Sequence, residues 1–205
     1  GPNGAGKSTV YNLITGFYPY EGHIEFNGRE LYVMPPYKIA KAGIARTFQI
    51  PQIFPSLTVE KSISVVSRFG SRDGLDEDHV AEIIRFVELS EEKNQKTGHL
   101  NLLGKKKLMI GAALATKPRM LMLDEPMAGS NANEIKALMD LIRRINGEMG
   151  LTIIIIEHFM KVLTELTEKL LIIESGAMIC CDVPEVATSD KRVIESYIGD
   201  AYVER

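Results

Sequence analysis

The sequence predicts an α/β fold built on a mainly parallel sheet, and three observations support that prediction. A glycine-rich loop opens directly into a helical stretch over residues 1–15. Two continuous apolar runs of strand length, 120–123 and 151–156, each end in polar residues, as strands buried on both faces of a parallel sheet do. Segments with helical periodicity lie between the strands, and this alternation is typical of a parallel sheet covered by helices.

Size and composition are those of an ordinary globular domain. The chain has 205 residues, of which 45% are apolar and 25% charged, enough for one domain with a small appended lobe. The net charge of −3 argues against nucleic acid as a partner. The apolar runs are shorter than the roughly 20 residues that cross a bilayer. A disulfide between the adjacent Cys180 and Cys181 is not expected, since neighbours on a strand point to opposite faces. Both are expected to be buried, as small apolar residues, and reduced.

The order of elements follows from capping residues, turn signals and apolar spacing. Helices are predicted over about 7–15, 36–42, 59–68, 80–87, 101–116, 135–147 and 159–168, and helical turns over 184–198. Strands are predicted over 23–26, 29–31, 44–48, 120–123, 151–156, 169–174 and 177–181. We expect a helical subdomain at about 58–116 within a single domain whose α/β core is formed by 1–57 and 117–205.

The first nine residues contain the pattern G-x-x-x-x-G-K-S of a phosphate-binding loop. Its glycines let the backbone curl around an anion, and the following helix directs its positive dipole end to the same place. A chance glycine-rich turn is the alternative interpretation. The strand expected to lead into the loop is absent, because the chain begins on the loop. The predicted nucleotide contacts are Gly1, Asn3, Gly4, Ala5, Gly6, Lys7, Ser8 and Thr9, with Lys7 placed for the β and γ phosphates and Ser8 for Mg²⁺.

Polar side chains stand at the ends of three predicted strands, where α/β sheets bind their ligands. Asp124 suits a hold on Mg²⁺, and Glu125 can polarise a water for attack on a terminal phosphate. The alternative is that this pair caps a helix. His158 can contact the same phosphate, or it is a helix cap or a half-buried residue. Gln49 offers an amide that can hold the metal and the attacking water, or it is a solvated loop residue.

These motifs resemble, in order and spacing, those of ABC-type ATPases. The loop 1–9, Gln49, Asp124-Glu125-Pro126 and Glu157-His158 are similar to the phosphate loop, Q-loop, Walker B motif and switch histidine of that family. Three further stretches resemble the branched-chain amino acid importer subfamily; they are 43–49, Ala128-Gly129 and Tyr197-Ile198-Gly199-Asp200.

The resemblance implies a P-loop NTPase fold with a RecA-like core and a helical subdomain. It implies a subunit that binds ATP and Mg²⁺ and hydrolyses ATP, with Glu125, His158 and Gln49 catalytic and Ser8, Gln49 and Asp124 on the metal. It also implies a head-to-tail homo- or heterodimer that sandwiches two ATP molecules and drives transmembrane permease subunits. Such a subunit lies peripherally on the cytoplasmic face of the plasma membrane.

The family's signature, Leu-Ser-Gly-Gly-Gln, is degraded in this chain. Counting back from the alanine-rich helix places it on residues 101–105, where Gly104 keeps the second glycine and leucines replace the serine and the first glycine. Asn101 could still donate to a phosphate of the partner's ATP. The lysines that follow are expected either to bind an anion, because positive charges at a helix N-terminus oppose its dipole, or to form a solvated basic face; they are Lys105-Lys106-Lys107.

The degraded signature suggests that, in a heterodimer, one of the two ATP sites turns over faster than the other. The competing interpretation is that the subfamily tolerates this signature in a symmetric pair. Two further departures are Asn131, which replaces the D-loop aspartate, and the adenine-stacking aromatic residue, which would precede Gly1.

The loop after Gln49 indicates a partner surface. Its apolar residues suit the docking of a helix from a membrane subunit, or they fold back onto the core; they are Ile50, Ile53, Phe54 and Leu57. The function that follows is an ATPase subunit for uptake of branched-chain amino acids or similar solutes.

Three alternatives stay open. One is the ATPase of a lipid or lipopolysaccharide transporter. Another is a soluble ABC ATPase, which would need a second cassette or a long coiled-coil insert. The third is a weakly hydrolysing regulator, which the signature favours and the intact Glu125 and His158 oppose.

Overall fold

The computed structural model describes residues 1–71 and 73–198, and within them every predicted element is present. The helices are α1 (Lys7–Ile14), α2 (Pro36–Ala42), α3 (Val59–Gly70), α4 (Glu77–Phe86), α5 (Leu102–Leu114), α6 (Ala132–Met149), α7 (Met160–Leu166), α8 (Pro184–Ala187) and α9 (Lys191–Ile198). The strands are β1 (Glu25–Phe26), β2 (Arg29–Glu30), β3 (Ile44–Arg46), β4 (Met120–Asp124), β5 (Thr152–Ile156), β6 (Leu170–Glu174) and β7 (Ala177–Asp182). Of the stretch 197–200, Gly199 and Asp200 lie outside the described residues.

The chain forms two compact units. Among the described residues, the first combines 1–11 with 156–198, and the second lies within 12–155. In the second unit α3 packs against α4 and α5, the three helices that fall in the predicted helical subdomain. The boundaries of that subdomain at about 58 and 116 stay a prediction.

A parallel sheet with the order β3-β4-β5 organises the second unit. β3 pairs with β4 in parallel, with Ile44 opposite Met120 and Arg46 opposite Met122. All five residues of β4 are buried, as its continuous apolar run predicts. β3 ends at Arg46, earlier than the predicted strand 44–48. The Thr47 N–H still donates to Met122 O at 2.9 Å, whereas Phe48 is 37% exposed and packs edge-on against Phe17.

The fifth strand departs from expectation. Its run of isoleucines predicted burial on both faces, but Thr152 is exposed and Ile154 is 38% exposed. Thr152 and Ile154 lie on the same face, because alternate residues of a strand share a face. That face of β5 is therefore open in the part of the chain described, which its apolar sequence did not predict.

Local signals account for the ends of the helices and turns in the second unit. Thr58 caps α3 by accepting the Lys61 N–H at 3.2 Å. Asn131 and Glu134 form a reciprocal capping box at the start of α6. In the β1–β2 hairpin, Asn27-Gly28 has φ values of 50° and 72°, which a tight two-residue turn requires.

The first unit contains an antiparallel hairpin of β6 and β7, joined at Ser175-Gly176. α8 and α9 pack against β7, and α7 packs against α8. The two cysteines were expected to be buried, which is wrong for both. Cys180 is half-buried and Cys181 exposed, because β7 is open to solvent along much of its length; both are free thiols.

No membrane-spanning helix is found over residues 1–71 and 73–198: each helix there is too short or too polar.

Gly43 is predicted to be required at the end of α2. It has φ of 110°, and a Cβ at this position would lie 3.3 Å from Arg119 Cγ. The substitution Gly43→Ala is expected to lower the free energy of unfolding by about 1–3 kcal/mol, because an alanine is strained in that conformation. Urea denaturation measures the change.

The matched control is Gly147→Ala, in α6, where no atom lies within 4 Å of the added Cβ. It is expected to raise the free energy of unfolding by about 0.5–1 kcal/mol, because alanine is the better helix former. Equal effects of the two substitutions would contradict the left-handed cap.

Candidate active site

The glycine-rich loop adopts a tight curl in the first unit. Gly4 and Gly6 have φ values of 78° and 103°, which glycine adopts without strain. The buried Ala5 accepts the Gly176 N–H on its carbonyl oxygen at 2.9 Å. The turn of the β6–β7 hairpin therefore supports the loop from behind.

Lys7 folds back over this loop. Its Nζ donates to the carbonyl oxygens of Gly1 at 2.7 Å and Pro2 at 2.8 Å. Gly1 is buried, whereas Asn3 and Ser8 are exposed. The ammonium thus lies against the loop backbone, and the accessible polar groups of Asn3 and Ser8 flank the curl in the sequence.

The predicted histidine belongs to the same unit. His158 is exposed, and its backbone N–H donates to Glu157 Oε2 at 3.2 Å. Glu157 is only 3% exposed, a burial that sequence reasoning did not predict. The Glu157 carboxylate is thereby engaged at the end of β5, where the chain turns towards α7.

In the second unit, the ends of β3 and β4 bring two predicted catalytic residues together. Gln49 Nε2 donates to Glu125 Oε2 at 2.5 Å. Glu125 has φ of 48°, a conformation rare for a residue with a side chain and costing on the order of 1–3 kcal/mol. Strain of this kind concentrates at functional sites, and here it accompanies the contact of Glu125 with the loop after β3.

Asp124 is held by a residue to which sequence reasoning gave no role. Arg46 Nη2 lies 2.8 Å from Asp124 Oδ2, with side chains 8% and 7% exposed. Arg46 Nη1 donates to Asn12 Oδ1 at 2.6 Å. A signal was present in the sequence, because an arginine in a short, otherwise apolar strand must find a carboxylate when it is buried.

The predicted signature residues form a helix cap. Asn101 precedes α5, and its Oδ1 accepts the Gly104 N–H at 2.8 Å. Leu102, in the first turn, is 37% exposed. Asn131, at the D-loop position, likewise caps α6. The structure therefore brings Asn101 and Gly104 together, with the Asn101 oxygen used inside the chain.

The three lysines after Gly104 do not form a solvated basic face. Lys106 is 3% exposed, and its Nζ donates to Ala128 O at 2.5 Å and Ser130 Oγ at 2.8 Å. Lys107 Nζ lies 2.6 Å from Glu88 Oε2, and this contact holds the pKa of Glu88 below its usual value. Two of the lysines therefore bind groups of the protein itself.

The residues predicted to hold Mg²⁺ supply suitable atoms. Ser8 offers a hydroxyl, Gln49 an amide oxygen and Asp124 a carboxylate, and Mg²⁺ prefers oxygen ligands. Over the described residues, no three His, Cys, Asp or Glu side chains are grouped to hold a metal. Mg²⁺ in ATPases is bound through one or two carboxylates together with substrate phosphates, so the carboxylate of Asp124 fits the ion.

Comparison with known proteins decides the family. The family model described as ABC transporter matches residues 1–128. The chain belongs to the ABC transporter family. The predicted resemblance is therefore confirmed, and with it the ATPase class.

Relatives and solved structures cover nearly the whole chain. It is 34% identical over 220 residues to BraF of Pseudomonas aeruginosa, a high-affinity branched-chain amino acid transport ATP-binding protein, covering 98% of this chain and 86% of BraF. Identity to LivG of Escherichia coli K12, which carries the same description, is 33%, with the same coverage. The ADP conformation of an ATP-binding cassette of an ABC transporter superimposes with a TM-score of 0.84 at 29% identity, covering 97% of this chain and 85% of that one. The predicted P-loop NTPase fold is confirmed.

Lys106 is predicted to stabilise the segment that follows β4. The substitution Lys106→Met keeps the apolar stem but removes the donor to Ala128 O and Ser130 Oγ. It is expected to lower the free energy of unfolding by about 1–3 kcal/mol, because two half-buried acceptors lose their hydrogen bonds to a charged donor. Thermal and urea unfolding measure the effect.

The neighbouring Lys105→Met serves as the control. Lys105 is only half-buried, and its replacement is expected to change the free energy of unfolding by less than about 0.5 kcal/mol. Equal stability of the two variants would show that the Lys106 contacts contribute nothing.

Proposed function

We propose that this chain is the ATP-binding and hydrolysing subunit of an importer for branched-chain amino acids or related solutes. The observation that carries the proposal is the contact of Gln49 with Glu125 beside Asp124 at the ends of β3 and β4. The names of BraF and LivG, which match 98% of the chain, support the choice of solute.

In this proposal the phosphates of ATP bind at the curl of the first unit. The loop from Gly1 to Thr9 provides backbone amides, and Lys7 provides a positive charge for the β and γ phosphates. The ammonium exchanges its present acceptors, the carbonyl oxygens of Gly1 and Pro2, for phosphate oxygens. Such charge-assisted hydrogen bonds are stronger than those to neutral carbonyls.

Hydrolysis uses the polar residues at the strand ends. Ser8, Gln49 and Asp124 would hold Mg²⁺, which would supply positive charge to neutralise the phosphates. Glu125 accepts a hydrogen bond from the attacking water and polarises it. Gln49 orients the Glu125 carboxylate through the hydrogen bond seen here, and His158 contacts the γ phosphate.

The partners in this proposal are a second ATPase subunit and transmembrane permease subunits. The two ATPase subunits associate head to tail as a homo- or heterodimer, and Asn101 and Gly104 at the start of α5 face the partner's ATP. The assembly lies on the cytoplasmic face of the plasma membrane.

An apolar surface in the second unit suits the permease. Ile50 and Phe54, in the loop after Gln49, are 72% and 50% exposed. A groove of about 390 Å³ lies in the same unit, and its wall includes Phe17, Tyr37, Phe48, Gln52, Val66 and Met109. Exposed apolar surface of this kind marks interaction sites, and a groove fits the apolar face of a helix.

One observation favours a second candidate, a weakly hydrolysing regulatory subunit. At the start of α5, Leu102 is exposed and the Gly104 N–H is already used in donating to the Asn101 oxygen. A helix end of this composition offers few donors to the ATP of a partner. The Glu125 experiment below separates the two candidates.

Replacement of Glu125 is predicted to stop hydrolysis without stopping binding. In Glu125→Gln the amide cannot accept the water's proton, so the hydrolysis rate is expected to fall by about 100-fold or more. ATP should remain bound. Phosphate release and retained nucleotide are measured on the same samples.

The control for this experiment is Glu148→Gln on α6, where the carboxylate pairs with Arg144. It should hydrolyse ATP at the parent rate. A Glu125→Gln variant as fast as its parent would refute the role of the base. A parent chain that binds ATP in the dimer but does not hydrolyse it would favour the regulatory candidate.

Docking to the permease is predicted to depend on the loop after Gln49. The substitution Phe54→Glu places a charge on the apolar surface, which an interface would have to desolvate. We expect the variant to lose co-purification with the permease subunits while retaining ATP binding.

Phe69→Glu is the matched control, since Phe69 is 72% exposed near the end of α3. It should co-purify as the parent does. If Phe54→Glu also co-purifies at the parent level, the docking surface lies elsewhere.

A further inference from the structure

Arg46 stands between the carboxylate proposed to hold the metal and the groove proposed to receive the permease. On one side, its Nη2 contacts Asp124 Oδ2 at 2.8 Å, and both side chains are more than nine-tenths buried. Its Nη1 donates to Asn12 Oδ1 at 2.6 Å and lies 3.4 Å from Thr15 Oγ1. Several polar atoms therefore fix the position of the guanidinium.

On the other side, Arg46 contacts an aromatic pair. Its Cζ lies 4.9 Å from the centroid of the Phe48 ring, a stacking distance at which the cation is attracted to the ring. Phe48 in turn meets Phe17 edge-on, with centroids 6.2 Å apart. Arg46, Phe48 and Phe17 all line the groove. A displacement of the guanidinium therefore changes the packing of the groove wall.

Electrostatics predicts how Arg46 affects a cation at Asp124. A guanidinium within 3 Å of a buried carboxylate neutralises much of its charge, and burial leaves little screening by solvent. Mg²⁺ and Arg46 then compete for the same negative charge. Removal of the guanidinium should strengthen the hold of Asp124 on the metal, whereas loss of a merely structural residue should weaken it.

We propose that Arg46 is a positioning residue that serves as the internal counter-ion of Asp124 and thereby limits the affinity of Asp124 for Mg²⁺. Through its contact with Phe48, Arg46 also transmits a change at the Asp124 carboxylate to the groove. The inference rests on the proposed function, in which Asp124 holds Mg²⁺. It adds a residue that joins the metal ligand to the docking surface by direct contact.

The first test measures Mg²⁺ affinity with a fluorescent ADP analogue, so that the result does not depend on hydrolysis. In Arg46→Gln the half-saturating Mg²⁺ concentration is expected to fall about tenfold, because the competing charge is gone. Arg46→Lys keeps the charge and should stay close to the parent. If Arg46→Gln does not fold, Arg46→Lys is the variant that decides. An affinity of Arg46→Lys for Mg²⁺ well below that of the parent would then overturn the proposal.

Arg144→Gln is the matched control. Arg144 also stacks on an aromatic ring, with its Cζ 4.5 Å from the Phe86 centroid, and also pairs with a carboxylate, that of Glu88. None of these residues belongs to the site. Its half-saturating Mg²⁺ concentration should equal that of the parent.

The second test uses the absence of tryptophan from the sequence. A Phe48→Trp variant carries a single reporter under the Arg46 guanidinium, and Phe86→Trp carries one under Arg144. Addition of Mg²⁺ to the ADP complex is expected to change the emission of Phe48→Trp and not that of Phe86→Trp. In Phe48→Trp combined with Arg46→Lys the change should be reduced, because the ammonium lacks the planar face that stacks on the ring.

The outcomes separate the inference from the proposed function. If Mg²⁺ leaves nucleotide binding by the parent unaltered, the metal role of Asp124 fails and the inference fails with it. If the parent responds to Mg²⁺ but Arg46→Gln binds it more weakly or equally, the counter-ion role is overturned and the proposed function stands. A silent Phe48→Trp reporter in a parent that responds to Mg²⁺ overturns the link to the groove.

Discussion

The parallel pairing of β3 with β4 is the constraint on which the second unit depends. Its register sets Arg46 opposite Met122, and the Thr47 N–H continues the ladder by donating to Met122 O at 2.9 Å. Because both strands run in the same direction, their carboxyl ends meet at one edge of the sheet. Gln49 and Glu125 follow those ends, and they are therefore brought within hydrogen-bond distance although they lie far apart in the sequence.

The apolar character of β4 determines the electrostatics at that edge. The strand is buried along its whole length, so the Asp124 carboxylate is withdrawn from water and needs a compensating charge. Arg46 provides it at 2.8 Å. A buried pair of this kind adds little net stability, but leaving one partner alone costs about 3–5 kcal/mol. The pair therefore sets the charge and position of Asp124 more than it stabilises the fold.

Features with a local cause could be predicted from the sequence, and features set by distant partners could not. The turn at Asn27-Gly28, the end of α2 at Gly43 and the Thr58 cap of α3 act through the backbone within a few residues, so their structures follow from residue type and spacing. The burial of Lys106 and Glu157 depends on which segments pack over them. The same reason explains the exposure of β5 and of Cys181: an apolar residue predicts a preference for burial, but the fold decides whether a covering layer is present. The phosphate loop, Gln49 and Asp124-Glu125 were recognisable because their chemistry restricts both residue type and order.

The start of α5 shows how a motif can lose residues tied to function and keep those needed for folding. Positive charges at a helix N-terminus oppose the helix dipole, yet Lys106 and Lys107 are accommodated because Ala128, Ser130 and Glu88 bind their ammonium groups. Asn101 retains the capping hydrogen bond to Gly104, so the helix begins normally without the signature's serine and first glycine. Lys106 and Lys107 are therefore committed to the chain's own packing, and an exposed leucine side chain occupies the first turn. Backbone amides, the Asn101 amide nitrogen and the half-buried Lys105 are then the principal donors left for a triphosphate approaching from a second subunit. This is the physical basis for the hypothesis that the two sites of a heterodimer turn over at different rates.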